Sequence, residues 1–238
     1  MNENGIRINK YLAECGICSR RQADEIVNEG RVCVNEEVAV NGTKVYEGMI
    51  VTVDGNRIDK EEEKIYLAFN KPRGIVCTSE KKEPDNIIDY LKYPKRITYC
   101  GRLDKDSQGL LIMTNDGDLI DSLMRSKNNH EKEYIVTVDK PLTEAFLYKL
   151  GKGVYLEELN VTTKPCKVEY IDERHFKIIL TQGLNRQIRR MCLAYDYQVT
   201  KLKRIRIMGV KLGNLKVGEL RPLTKDEIDE LKIDVYQS

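Results

Sequence analysis

Six consecutive residues, Asp59-Lys60-Glu61-Glu62-Glu63-Lys64, are charged without exception. A segment with no apolar side chain has nothing to give to a core and is left to water. The run is expected to divide the chain into a small N-terminal unit, residues 1–60, and a larger one, residues 61–238. A length of 238 residues suffices for a module joined to an enzyme-sized domain.

The two parts carry different rhythms. Between Ile6 and Glu29, the apolar residues Ile8, Leu12, Ile17, Ala23 and Ile26 recur at helical intervals with charge between them. Cys15-Gly16-Ile17-Cys18 interrupts the pattern, and Ser19 ahead of Arg20, Arg21 and Gln22 has the form of an N-cap opening a second helix. After Gly30 the period falls to two, through Val32 and Val34, then Val38 and Val40, then Met49 to Val53. Beyond the charged run, strand-like stretches (65–69, 135–138, 167–170, 176–181, 200–210) are interleaved with helical ones (85–90, 118–124, 142–150, 185–194). The class expected is α+β: a helix pair with a small sheet, then a mostly antiparallel sheet with helices.

A hydrophobic fraction of 41% beside 33% charged residues suits a soluble globular chain. No apolar run approaches the roughly 18 residues of a membrane span. MNENGIRINK lacks the basic start and apolar stretch of a signal peptide, so a cytoplasmic protein is expected. The seven cysteines are an odd number in scattered contexts, which fits reduced thiols. Cys15 and Cys18 form a CxxC, but no second pair follows at zinc-site spacing, so no metal is expected.

The net charge of +2 decides little, whereas its clustering decides more. CSRRQAD, GLNRQIRRM and KLKRIRIMGVKLG are dense in cations, the footprint of a phosphate-backbone partner. Residues 101–111, GRLDKDSQGLL, form a polar loop between a strand-like approach and the apolar run Leu110 to Met113. Loops between buried elements are where chemistry usually sits. Of its two acids, Asp104 follows Arg102 and Leu103, a cation and an apolar wall, while Asp106 reads as the more exposed. Standing alone, GRLD would be an ordinary turn aspartate.

RINKYLAECGICSRRQADEIVNEGRVCVN, followed by strands ending in VTVDG, resembles the small α-L-like S4 RNA-binding module. That resemblance implies that the second helix and the following loop present Arg7, Lys10, Ser19, Arg20, Arg21 and Arg31 to structured RNA. Guanidinium forks pair with phosphates two bonds at a time, and a fixed helix face reads duplex shape.

KPRGIVCT, GRLDKDSQGLLIMTNDGDL, EKEY and QGLNRQIRRM, in this order, resemble the RsuA-type ribosomal RNA pseudouridine synthases that carry an S4 module. Within that family the wording is nearest to the RluF type, which acts on 23S RNA. The resemblance implies a cofactor-free isomerisation of uridine to pseudouridine, with Asp104 as the catalytic aspartate, Tyr134 as the active-site tyrosine and Arg189 as the basic partner of Asp104. Tyr134 would stack on the base and assist proton removal from C5, and Arg189 would keep Asp104 ionised and oriented. Attack on the ribose and removal of a sugar proton both remain open for Asp104. The target nucleotide must be flipped from its stack, and Arg102 is a candidate to hold the flipped strand. Arg186 and Arg190 join the expected RNA-binding set, and Arg190 is the alternative partner for the aspartate. The expected partner is a 23S hairpin, with a transfer RNA of similar loop as a second substrate, bound by a monomer.

Overall fold

The computed structural model of the protein describes residues 5–60, 63–124 and 130–236, so Glu61 and Glu62 of the charged run lie outside the described residues. The chain forms two compact units: Met1–Ile65 with Tyr93–Ile97 and Asn115–Gly117, and Tyr66–Lys92 with Thr98–Thr114 and Asp118–Ser238.

The smaller unit runs β1 (Ile6–Arg7), α1 (Ile8–Glu14), α2 (Arg20–Asn28), β2 (Val32–Val34), β3 (Glu37–Val38), β4 (Lys44–Val45), β5 (Val51–Val53) and β6 (Asn56–Ile58). The helices separate at the expected break, where Gly16 takes a φ of 76° that glycine tolerates without a Cβ penalty. Ser19 then caps α2: its hydroxyl accepts from the Gln22 amide at 3.2 Å, and the Gln22 side chain accepts from the Ser19 amide at 3.1 Å. Two end amides of the helix are thereby satisfied. Ile8, Leu12, Ala23 and Val27 pack against Val32, Val45, Val51 and Val53, each such burial stabilising by roughly 1.5–3 kcal/mol. Val40, expected in a strand, instead lies in a turn, its amide donating to the Thr43 hydroxyl at 3.0 Å. Ile17 falls in the break between the helices and stays exposed.

In the larger unit come β7 (Tyr66–Lys71), α3 (Ile87–Leu91), β8 (Thr98–Cys100), β9 (Gln108–Thr114), α4 (Gly117–Met124), β10 (Lys132–Val138), α5 (Glu144–Gly151), β11 (Tyr155–Leu156) and β12 (Val161–Thr162). They are followed by β13 (Lys167–Asp172), β14 (His175–Leu180), α6 (Gln187–Leu193), β15 (Val199–Ile207), β16 (Val210–Lys211), β17 (Leu220–Pro222) and α7 (Lys225–Tyr236). One sheet holds most of these strands in the order β13-β14-β10-β15-β9-β7-β17, with β16 on β15 and β8 on β9. Its pairings are antiparallel except where β15 runs beside β9.

β7 and β9 are central and buried along nearly their whole length, which explains their unbroken apolar wording. β10 and β14 send Val136, Val138, Phe176 and Ile178 into a core closed by α5 and α6. A second core gathers Tyr66, Leu110, Ile112, Leu119, Ile207 and Leu231. The acid-rich stretch Lys225–Tyr236 is a helix that buries Leu231 and packs Ile228 beside it. Among the described residues no helix is long and apolar enough to cross a membrane, and the seven cysteines are free.

Candidate active site

The loop of residues 101–107 joins β8 to β9 and is pinned from several directions. The Leu103 amide donates to Cys77 Sγ at 3.5 Å, the Gly74 amide to the Lys105 carbonyl at 2.7 Å, and the Ser107 amide to the Asp104 carbonyl at 3.0 Å. Beneath it lies Lys71, a lysine with no solvent exposure. Its Nζ donates to the carbonyls of Pro72 at 2.9 Å and Ser107 at 2.8 Å. Burial pushes this ammonium down to about 8, although the Cys77 thiol and the carboxylates of Asp104 and Asp106 act the other way. Lys71 is therefore the anchor of the loop.

Of three arginines at the start of α6, two meet this loop, and not as the sequence led us to expect. Arg186 is the N-cap of α6 in a left-handed conformation, φ 50° and ψ 34°. Such a backbone costs a non-glycine residue of order 1–3 kcal/mol and tends to persist where function requires it. Its guanidinium forks onto Asp106, Nη1 and Nη2 each 3.2 Å from a carboxylate oxygen. Nη1 also stands 3.7 Å from Asp104 Oδ2. Arg189, the expected partner of Asp104, bonds elsewhere: to the carbonyls of Val199 at 3.0 Å and Asp106 at 3.2 Å, and to the carboxylate of Asp106 at 3.2 Å. Arg190 turns away altogether, to Asn185 and Glu158.

The cation within salt-bridge range of Asp104 is Arg186, expected only as an RNA contact, while Arg189 bears on Asp104 through its charge alone. The correction has a simple cause, since residues three apart on a helix share a face and the cap position reaches the loop first. Asp106 is the more exposed of the two acids, as expected, and also the more heavily paired. Burial raises its pKa, but the Arg186 hydrogen bonds and the charges of Arg189 and Arg186 outweigh that and hold it below the usual carboxylate range.

Asp104 and Arg186 border a cavity of about 590 Å³ that is also lined by Tyr134, within the size range of small-ligand sites. Tyr134 lies on β10 opposite Arg204 of β15 and Ile178 of β14. Lys132, two residues earlier on the same face, lines the cavity too, as do His130 and Arg204. Arg204 is 2% exposed, its Nε donates to the Leu110 carbonyl at 2.7 Å, and its Nη2 is buried with no hydrogen-bond partner. Burial, and then the charge of Arg204, lowers the pKa of Lys132. These cations were not singled out in the sequence. The available signal was a polar residue at a core-facing position of a strand. Arg102 is exposed and lines the cavity.

In the smaller unit Arg7, Arg20 and Arg21 are exposed, and Ser19 is spent on its cap. Lys10 stands 3.5 Å from Glu14. Arg31 is already engaged within the protein, Nε and Nη2 on Asp54 at 2.9 and 2.7 Å and Nη1 on Glu29 at 3.0 Å. Among the expected RNA contacts, Arg31, like Arg186 and Arg190, is thus engaged within the protein.

A carboxylate loop, a tyrosine strand and an arginine-capped helix thus surround one cavity. The profile of the RNA pseudouridylate synthase family matches residues 65–194, and that of the S4 domain matches residues 6–51. The chain belongs to the RNA pseudouridine synthase family, with an S4 domain ahead of the catalytic body. It is 49% identical over 233 residues to the dual-specificity RNA pseudouridine synthase RluF of Salmonella typhi, covering 97% of this chain and 80% of that one. It is 34% identical to the ribosomal large subunit pseudouridine synthase B of Bacillus subtilis, covering 95% of each. A crystal structure of a pseudouridylate synthase superposes with a TM-score of 0.70 at 30% identity, over 95% of this chain and 99% of that one.

Proposed function

We propose that this isomerase converts a uridine in a 23S ribosomal RNA hairpin to pseudouridine, with Asp104 as the reacting carboxylate. The observation that carries the reading is the convergence of Asp104, Arg186 and Tyr134 on one cavity. The reaction breaks N1–C1′, forms C5–C1′, removes the C5 proton and protonates N1. No electrons are gained or lost, so its stoichiometry calls for no cofactor. Asp104 acts on the ribose, with Arg186 as the positive charge that orients it. Tyr134 stacks on the base and lies at hand for the C5 proton. Arg189 serves one step back, through Asp106. Flipping the nucleotide costs a few kcal/mol, which the cations of the surrounding surface, Arg102 among them, help to offset by holding the backbone.

Residues 1–60 act as the RNA-binding module and 61–238 as the catalytic domain of a cytoplasmic monomer. Arg7, Arg20 and Arg21 supply affinity through phosphates. A transfer RNA with a similar loop is a second substrate, a reading favoured by the dual specificity in the name of the Salmonella relative. Asp104→Asn is expected to abolish pseudouridine formation on RNA transcripts while leaving RNA binding within about twofold, because the reacting charge is lost and the basic surface is not. Full activity in that variant would remove Asp104 from the mechanism. Mapping pseudouridines in ribosomal and transfer RNA with and without the protein identifies the substrate.

A further inference from the structure

We infer that Asp106 is a positioning residue, whose carboxylate holds Arg186 in reach of Asp104 by acting as the shared counterion of Arg186 and Arg189. The inference rests on the proposed role of Asp104 and concerns what keeps that carboxylate's cation in place. Arg186 meets Asp106 with both ends of its fork at 3.2 Å, and Asp104 with one nitrogen at 3.7 Å. Two bonds fix the plane of a guanidinium where one leaves it free to swing. Its contact with Asp104 is therefore set by its grip on Asp106.

Arg189 reaches the same carboxylate at 3.2 Å and the Asp106 carbonyl at 3.2 Å. Two guanidiniums brought to one acid repel each other, and that repulsion is borne only while the acid is charged. Neutralising Asp106 leaves the two cations facing each other with one carboxylate, Asp104, within reach of Arg186. The left-handed backbone of Arg186 points to the same dependence, because strain persists only where surrounding contacts hold it. Arg189 is tied to the Val199 carbonyl and pins the backbone of Asp106, so the arrangement is fixed from the sheet, through the loop acid, to the helix cap.

The test is single-turnover pseudouridylation at saturating enzyme, with RNA affinity measured separately, for Asp106→Asn, Arg186→Lys, their double variant and Asp106→Glu. Asp106→Asn is expected to slow the reaction on the order of tenfold, with RNA affinity within about twofold. In the Arg186→Lys background, where the fork is gone, the same change is expected to cost less than about twofold. Asp106→Glu keeps the charge and displaces it, and is expected to fall between parent and Asp106→Asn. Where Asp106→Asn lowers the unfolding temperature too far to assay, Asp106→Glu carries the test: a slowed turnover at unchanged affinity supports the inference and an unchanged turnover overturns it.

An unchanged rate in Asp106→Asn, an equal loss in the Arg186→Lys background, or a loss confined to affinity also overturns it. Asp104→Asn runs alongside. Activity in that variant defeats the role of Asp104 itself, whereas an inactive Asp104→Asn with a full-speed Asp106→Asn defeats only the role of Asp106.

Discussion

At the scale of single residues, motifs were easier to read than pairing. Asp104 and Tyr134 sit in worded motifs, and both line the cavity. Arg189 was expected beside Asp104, but Arg186 stands there, because sequence spacing along RQIRR gives no information on which guanidinium the helix cap aims at the loop. Lys71 shows the same limit: its place in a motif was plain, its burial was not. That burial has a measurable consequence. With its folded pKa near 8 and its ordinary value 10.5, Lys71 binds fewer protons folded than unfolded between those values. Stability contributed by this group therefore rises with pH across that window and is lost as pH falls through it. The parent should gain up to about 3 kcal/mol relative to Lys71→Met between about pH 8 and 10.5. Denaturant titrations of both proteins across the window check this, and parallel curves would show that Lys71 titrates normally.

At the scale of elements, the rhythm of the sequence located most helices and strands to within a few residues, because period 3.6 and period 2 are imposed by which face is buried. The Ser19 cap was legible for the same local reason. Helix α7 was not, since its acidic residues outnumber the apolar ones that anchor it. The parallel contact between β9 and β15 was not legible either, yet it brings the tyrosine face of the sheet beside the aspartate loop. Gly109 permits it: with φ at 110°, a Cβ there would lie 2.2 Å from the Arg204 carbonyl oxygen. Gly109→Ala is expected to destabilise by on the order of 2–4 kcal/mol, lowering the thermal midpoint by roughly 5 to 15 °C. A calorimetric midpoint within about 2 °C of the parent would mean that the strands separate at little cost.

At the scale of the whole molecule, the proposed function divides affinity and chemistry between two units. Replacing Arg20 and Arg21 by alanine should weaken binding to all RNAs alike and lower the slope of log K against log salt by about 1 to 2, with turnover at saturation unchanged. A slope equal to that of the parent, in filter-binding titrations over several salt concentrations, would take α2 out of the RNA contact. The amino-acid sequence by itself determined most of the elements and the S4 and synthase families, and it marked Asp104 as the candidate carboxylate. These follow from local periodicity and from contiguous motifs, both of which survive without coordinates. Only the tertiary structure decided that Arg186 stands within salt-bridge range of Asp104, that its fork meets Asp106, and that Lys71 and Arg204 are buried. Each of those facts depends on residues separated by tens of positions in the chain and brought within about 4 Å by sheet register, a strained helix cap and the exclusion of water.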